Sequence, residues 1–183
     1  MVEPLEVITL GEALVVMDPL SAGPLRHVNR FEKHVGGAEH NVAVGLSRLG
    51  HRAGFAGSLG DDEFGREIVA FLRGEGVDVS RVELDAEAPT GLYFKERRAL
   101  GQLRVYYYRA GSAASRTRFE TLDLDYLLSG TFVHLTGITA ALSENCRDLI
   151  ERLILAANER GAKVSFDANV RLRLFEGETR GRP

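Results

Sequence analysis

The sequence predicts an α/β fold in which helices cover both faces of a parallel β-sheet. Short apolar runs of strand length alternate along the chain with amphipathic segments of about ten to fifteen residues, the pattern of strand–helix–strand units. One pair of β-rich segments interrupts this alternation and indicates a small additional β element. With 183 residues, 44% of them hydrophobic, the chain is long enough for one domain with a sizeable core.

The alternation begins with two strands and the helix that joins them. Residues 5–10 form a short apolar run that predicts a buried strand, and residues 52–59 predict the second strand. Gly50 is a suitable C-terminal cap for the intervening helix. Its predicted inner face consists of apolar residues at i, i+4 and i+7: Val42, Leu46 and Leu49.

A second helix follows the strand at 52–59. Asp61 or Asp62 can cap its N-terminus, because a carboxylate there accepts a hydrogen bond from a free backbone N–H. Gly74 and Gly76 end the helix. The apolar positions predicted to point inward are Phe64, Ile68, Phe71 and Leu72.

The second half of the chain repeats the pattern. Residues 131–135 predict a third strand and residues 163–166 a fourth, with a helix between them that Ser143 opens and Gly161 ends. The inward positions of that helix are apolar or small: Cys146, Leu149, Ile150, Leu153, Ile154 and Ala157. A cysteine on such a face indicates a core residue rather than a nucleophile.

The interruption is a predicted hairpin outside the parallel sheet. Residues 91–97 and 103–109 are β-rich runs joined by a short polar turn. Because side chains alternate along a strand, Tyr107 and Arg109 share one face. Aromatic and basic side chains together on a hairpin suit a lid or a dimer contact.

Composition excludes several classes of protein. The net charge of −3 argues against nucleic acid as the main partner. No apolar run reaches the length of a membrane span, and the N-terminus lacks a signal-peptide pattern. The single cysteine excludes an internal disulfide and indicates a cytoplasmic location. The five histidines show no metal-ligand spacing, so no metal site is predicted.

A glycine pair before the first helix is the first candidate ligand segment. Gly36 and Gly37 let a ligand approach the backbone, where free N–H groups attract oxygen-rich groups. Asn41 adds an amide that can donate to and accept from sugar hydroxyls. A tight turn without a ligand is an equally good interpretation of this spacing alone.

The second candidate segment, residues 167–171, follows the fourth predicted strand. Ligands in α/β sheets collect at the carboxyl ends of strands, so polar groups in this segment are well placed. Arg171 can bind a carboxylate or phosphate through two parallel hydrogen bonds. The alternative interpretation is a solvated loop with a charge pair.

Taken together, these segments resemble the PfkB/ribokinase family of carbohydrate kinases, and within it the 2-keto-3-deoxygluconate kinases. The likeness runs from about residue 6 to residue 175 in the order of the family. The segments that carry it are distributed along the chain: 8–12, 36–43, 46–50, 57–65, 74–78, 90–93, 105–113, 134–138 and 167–171.

The resemblance implies a ribokinase-like α/β/α sandwich with a small β lid, residues 1–183 being the N-terminal part of the domain and about 91–109 the lid hairpin. It also implies a sugar site. Its glycine turn and asparagine would bind hydroxyls, its tyrosines would pack on the sugar, and its arginines would hold a carboxylate or the transferring phosphate. The substrate-binding residues it implies are Gly36, Gly37, Asn41, Tyr93, Tyr107, Arg109, Asn169 and Arg171.

The resemblance also indicates what the sequence lacks. The catalytic aspartate of the family lies in a Gly-Ala-Gly-Asp segment whose backbone forms an anion hole, and the 183 residues contain no such segment. No catalytic residue is therefore assigned, and we expect the chain to be a truncated or frameshifted kinase whose C-terminal part is missing. ATP and Mg²⁺ are the implied cofactors, with most of the nucleotide site expected in the missing part.

The predicted function is transfer of the γ-phosphate of ATP to a sugar or sugar acid, with 2-keto-3-deoxygluconate preferred. A fructokinase-type or ribokinase-type kinase is one alternative. A non-catalytic sugar-binding or dimerising remnant, with a homodimer formed through the lid, is another. A nucleoside kinase is disfavoured, because Tyr107 and Arg109 suit an acidic sugar.

The missing segment leads to the first prediction. The 183-residue chain should show no ATP-dependent phosphorylation of any sugar, because it lacks both the base and the anion hole. One oxyanion-hole donor alone is worth on the order of 100-fold in rate. A coupled kinase assay run beside a complete family member measures this, and turnover at ordinary rates would contradict it.

Overall fold

The structure is a computed structural model, and it describes residues 4–98 and 102–170. The strands within these ranges are, in chain order, β1 (Val7–Leu10), β2 (Leu14–Pro19), β3 (Phe31–Gly36), β4 (Ala53–Gly60), β5 (Asp78–Asp85), β6 (Leu92–Arg97), β7 (Leu103–Tyr108), β8 (Phe132–Thr136) and β9 (Lys163–Asp167). The α-helices are α1 (Ala38–Arg48), α2 (Glu63–Gly74), α3 (Ala113–Arg116), α4 (Leu124–Leu127), α5 (Gly137–Ala140) and α6 (Glu144–Glu159).

Strands β1, β4, β5, β8 and β9 form a parallel sheet in the order β5-β4-β1-β8-β9. The predicted parallel sheet is thereby confirmed, and the four predicted strands are β1, β4, β8 and β9. Strand β5 was not predicted, because charged residues such as Asp78, Arg81 and Glu83 break up its apolar positions. As an edge strand it needs only partial burial, so its sequence carries a weak signal.

Helices cover both faces of this sheet, and each face has its own apolar core. On one face Ile8, Leu135 and Val133 pack with Leu149 and Leu153 of α6. On the other face the strands pack against α1 and α2 through a second set of buried residues: Ala43, Val44, Phe55, Leu59, Ile68 and Leu72. The two cores confirm the predicted α/β/α layering.

The helix faces were predicted unequally well. The inward residues of α6 are confirmed, with Cys146 and Leu149 fully buried. On α2 the prediction holds for Ile68 and Leu72, but Phe71 is 37% exposed. Its ring lies beside the imidazole of His40 instead, with the ring centroids 5.5 Å apart.

The predicted inner face of α1 is only partly correct: Leu46 packs against the core, but Leu49 does not. Leu49 is 76% exposed, whereas Ala43 and Val44 are buried together with Glu39 and His40. The small side chain of Ala43 lets the helix lie close to β1 and β4, so the buried face is set by helix approach rather than by the largest apolar residues. The prediction from periodicity considered only the large apolar residues.

A second sheet forms the lid. Strands β6 and β7 are antiparallel, which confirms the predicted hairpin, and β2 and β3 extend it to the order β3-β2-β6-β7. Strand β2 was not predicted, because its apolar run follows β1 after only three residues. The homodimer through the lid stays a prediction. No helix in the described ranges is both long and apolar enough to cross a bilayer.

Asp62 rather than Asp61 caps α2. One Asp62 carboxylate oxygen accepts from the Gly65 N–H at 2.8 Å, and the carboxylate also accepts from the N–H and hydroxyl of Thr90 at 2.8 and 2.9 Å. Partial burial opposes ionisation of Asp62, but these hydrogen bonds hold its pKa below the ordinary value. The cap therefore also ties α2 to the segment that enters the lid.

Replacing the cap yields the second prediction. Asp62→Ala should lower the free energy of unfolding by about 2 kcal/mol, because it leaves the helix N–H and the Thr90 N–H without an acceptor. Asp61→Ala is the matched control: it removes only a surface ion pair with Arg66 and should cost less than about 0.5 kcal/mol. Urea denaturation measures both, and equal losses would contradict the assignment.

Candidate functional site

A cavity of about 340 Å³ lies between the lid and the carboxyl ends of the parallel strands. This is the edge at which ligands collect in open α/β sheets. The lid contributes two tyrosines and an arginine, and the start of α1 contributes backbone and an amide. The residues that line it are Glu12, Leu14, Gly37, Ala38, Asn41, Val42, Tyr93, Tyr107, Arg109, His134, Thr136, Ile138, Asp167 and Asn169.

Gly37 brings the N-terminus of α1 against the turn that follows β1. Its φ of +140° is a conformation that favours glycine, and a Cβ there would lie 2.2 Å from the carbonyl oxygen of Glu12. Glycine is therefore required both by the backbone dihedral and by the close approach. The contact puts the free N–H groups at the start of α1 beside the cavity, where they can meet an oxygen-rich ligand.

The lid presents Tyr93, Tyr107 and Arg109 to the cavity. Tyr93 and Tyr107 are cross-strand partners on β6 and β7, and their ring centroids are 5.3 Å apart. The Arg109 guanidinium lies over the Tyr107 ring at 4.6 Å from its centroid. This contact places the guanidinium beside two phenol groups, an arrangement that suits a ligand with both acidic and hydroxyl groups.

Arg109 forms a buried ion pair with Glu12. Its Nη1 lies 2.8 Å from Glu12 Oε2, and the two side chains are only 9% and 2% exposed. Burial raises the pKa of Glu12 to about 7 even though the charge of Arg109 works to lower it. Glu12 is thus an unusual carboxyl that titrates near neutrality inside the cavity wall.

A second buried carboxyl, Glu39, lies in the first turn of α1. Its Oε1 accepts hydrogen bonds from the hydroxyls of Thr136 and Thr139 at 2.7 and 2.5 Å. Burial raises the pKa of Glu39 against the effect of these hydrogen bonds. The side chain fits because Gly11 lies against it: a Cβ at Gly11 would be 2.2 Å from Glu39 Cδ.

The opposite wall comes from β8 and β9. His134 Nδ1 lies 3.0 Å from Ser165 Oγ, and burial lowers the pKa of His134 against the attraction of Asp167. Asn169, with φ of +39°, donates its backbone N–H to Asp167 at 2.8 Å. This turn carries Asn169 into the lining of the cavity.

Most of the predicted site residues come together at this cavity. The lining includes Gly37, Asn41, Tyr93, Tyr107, Arg109 and Asn169. Gly36 is outside the lining: it is the last residue of β3 and pairs with Leu14 in the lid sheet. Arg171 lies outside the described residues. The substrate-binding role of these residues remains a prediction.

No functional role was predicted for four residues of this region: Glu12, Glu39, His134 and Thr136. The rule that marked residues 167–171, position after a strand of the parallel sheet, also applies to Glu12 and Thr136 and would have found both. Glu39 carried no such signal, since an acidic residue in the first turn of a helix normally serves the helix dipole. Within the described ranges, no group of three or more His, Cys, Asp or Glu side chains is arranged to hold a metal ion.

Comparison with known proteins gives a consistent family. The family model described as pfkB family carbohydrate kinase matches residues 5–180. A 2-dehydro-3-deoxygluconokinase of Thermoproteus tenax is 42% identical over 173 residues, which are 93% of this chain and 52% of that protein. Fructokinase-1 of Oryza sativa subsp. japonica is 38% identical over 177 residues, 96% of this chain and 54% of that protein. The chain spans about half the length of the curated relatives it matches.

Solved structures agree. A PfkB protein from Polaromonas sp. JS666 superposes with a TM-score of 0.88 at 40% identity, covering 93% of this chain and 57% of that one. A sugar kinase from Pyrococcus horikoshii in complex with ATP has a TM-score of 0.85 at 28% identity, covering 93% and 55%. The ribokinase-like fold expected from the resemblance is thereby confirmed.

The two neighbouring glycines supply the third prediction. Gly37→Ala should lower the free energy of unfolding by about 3 kcal/mol or more, because it strains the backbone and drives a Cβ into the Glu12 carbonyl. Gly36→Ala is the matched control: its Cβ would meet only the Val16 side chain, at 3.0 Å, and should cost about 1 kcal/mol or less. Thermal or urea unfolding of both variants decides, and equal costs would refute the close-approach argument.

Proposed function

The chain belongs to the pfkB family of carbohydrate kinases, and from this premise we propose that its cavity is the sugar site of a kinase for a sugar acid. The proposed reaction transfers the γ-phosphate of ATP to a hydroxyl of 2-keto-3-deoxygluconate, the compound otherwise named 2-dehydro-3-deoxygluconate. A phosphotransferase of this family needs the sugar held still while its hydroxyl attacks the phosphate. The cavity supplies groups suited to that task.

The observation that carries the proposal is the guanidinium of Arg109. It lines the cavity, is 9% exposed, and has Nη1 occupied by Glu12. Its Nη2 is buried and has no hydrogen-bond partner among residues 4–98 and 102–170. A buried donor of this kind is costly unless a ligand satisfies it, and a carboxylate forms the strongest hydrogen bond with a guanidinium.

The remaining lining suits the rest of a sugar acid. Tyr93 and Tyr107 offer ring surface and hydroxyl groups, while Asn41 and Asn169 offer amides that can donate and accept. A chain of hydroxyls needs such two-way partners, because each hydroxyl is itself both donor and acceptor. Arg171 would add a second guanidinium for the carboxylate or the phosphate.

In the proposed reaction, a Gly-Ala-Gly-Asp segment would complete the nucleotide site and supply the catalytic base. The Pyrococcus horikoshii relative was solved with ATP, which supports ATP as the phosphate donor here. Mg²⁺ would neutralise charge that develops on the transferring phosphate. The residues of this chain would bind and orient the sugar, and the aspartate of that segment would accept the hydroxyl proton.

A fructokinase is the second candidate function. The identity of 38% to the rice Fructokinase-1 favours it. The ion pair at Arg109 also favours it, because the Glu12 carboxylate already neutralises the positive charge that would bind the carboxylate of a sugar acid. A neutral sugar would leave that ion pair undisturbed.

Substitution of Arg109 separates the two candidates and forms the fourth prediction. Arg109→Ala should weaken 2-keto-3-deoxygluconate binding by about 10-fold to 100-fold, since a charge-assisted hydrogen bond contributes roughly 1.5–3 kcal/mol. Fructose binding should change by less than about 3-fold, because fructose has no carboxylate for Arg109 to bind. Titration calorimetry on the 183-residue chain measures both.

Two further variants control this experiment. Arg104→Ala removes an exposed arginine of the same strand β7 and should leave both affinities unchanged. Arg109→Lys keeps a cation opposite Glu12, so it guards against loss of fold when the ion pair is broken, but it lacks the planar fork of donors. Equal losses for both sugars in Arg109→Lys and Arg109→Ala would overturn the sugar-acid assignment.

A further inference from the structure

The ion pair between Glu12 and Arg109 leaves part of each side chain unsatisfied. Glu12 Oε2 and Arg109 Nη1 are 2.8 Å apart, whereas Glu12 Oε1 and Arg109 Nη2 are buried without a hydrogen-bond partner among the described residues. Removing charged groups from water is expensive, and a pair that leaves polar atoms without partners recovers only part of that cost. A polar group of a ligand could therefore form hydrogen bonds with the atoms of the ion pair that have no partner.

Glu12 also faces a second carboxyl across the turn at Gly11. Glu39 is fully buried, and its charge adds to the burial that raises the pKa of Glu12. Glu39 Oε2 is likewise buried without a partner among the described residues. Glu12 and Glu39 thus both interact electrostatically with the guanidinium of Arg109.

The other titratable groups around Glu12 do not supply a second cation. From α6 comes the thiol of Cys146, whose pKa is raised by burial and further by the charge of Glu12. Farther along the cavity wall lie His134 of β8 and Asp167 of β9, with Tyr93 and Tyr107 on the lid. Among the lining residues that the structure describes, Arg109 is the sole permanent cation.

A ligand carboxylate at Arg109 would add a third negative charge to this buried cluster. Opposite charges attract and like charges repel strongly at low dielectric, so the cluster gains from losing one negative charge as the ligand binds. Glu12 is the carboxyl in direct contact with Arg109, and its pKa of about 7 makes protonation near neutral pH inexpensive. A neutral sugar makes no such demand.

We propose that Glu12 is a positioning and specificity-determining residue: it orients Arg109, and it takes up one proton from solvent when a carboxylate-bearing sugar binds. The proposal deepens the proposed function and rests on it for the class of ligand. The Glu12 carboxylate becomes a neutral carboxyl, Arg109 keeps its charge, and the ligand carboxylate replaces Glu12 as its counter-ion. Neutral sugars would bind without any proton.

The first arm of the test needs no ligand. A pKa raised in the folded state means that folded wild type binds more protons than the unfolded chain between about pH 4.5 and pH 7. Its stability should therefore fall as pH rises through that window. Relative to Glu12→Gln, whose amide oxygen still accepts from Arg109, the wild-type folding equilibrium constant should drop by about 100-fold. A pH-independent ratio would overturn the proposal.

The second arm measures protons on binding. Calorimetric titration of the 183-residue chain in two buffers of different ionisation enthalpy should show uptake approaching one proton per 2-keto-3-deoxygluconate at about pH 8. Wild-type affinity for this acid should fall by up to about 10-fold per pH unit above pH 7. Glu12→Gln should abolish both the uptake and the pH dependence while still binding the acid.

Controls separate this inference from the proposed function. Fructose should bind without proton uptake, and Glu159→Gln, at an exposed carboxylate of α6, should behave as wild type. Equal proton uptake by wild type and Glu12→Gln would show that another group titrates and would overturn the role of Glu12. If fructose binds and the sugar acid does not, both the proposed sugar-acid function and the ligand part of this inference are wrong. The first arm would still decide whether Glu12 titrates while paired with Arg109.

Discussion

A buried ion pair between Glu12 and Arg109 joins the two sheets of the molecule. Glu12 follows β1 at the centre of the parallel sheet, and Arg109 follows β7 in the lid, so a single contact of 2.8 Å spans the junction. Separating the two side chains would leave an unpaired charge in a poorly solvated place, which costs several kcal/mol. The lid is thereby held over the carboxyl ends of the strands, and the cavity exists in the space between them.

Close backbone approach lets the other walls meet this ion pair. Gly37 places the start of α1 against the Glu12 carbonyl, and Gly137 lies against the carbonyl of Ala168, where a Cβ would be only 2.4 Å from the oxygen. Both contacts bring polar loops from different strands to the same edge of the sheet. Asn41 and Asn169 reach the cavity because these two approaches are unobstructed.

Under the proposed function, the charge on Glu12 would separate the two classes of sugar, acidic and neutral. With Glu12 ionised, Arg109 is already compensated and the cavity offers mainly hydrogen bonds, which suits a neutral sugar. With Glu12 neutral, Arg109 carries an uncompensated charge in a low dielectric and attracts a carboxylate. Under this proposal, the protonation of one carboxyl would change which ligand the same lining prefers, with no change in shape.

Local patterns in the sequence predicted four strands of the parallel sheet, the helices now seen as α1, α2 and α6, and the lid hairpin that carries Arg109, because hydrophobic period and capping residues act locally. Tertiary structure alone decided which face of α1 is buried, the addition of β2 and β3 to the lid, and the exclusion of Gly36 from the cavity. It also decided the pairing of Glu12 with Arg109 across 97 positions. The reason is physical: burial, charge compensation and helix approach depend on groups distant in the chain, which no local pattern records.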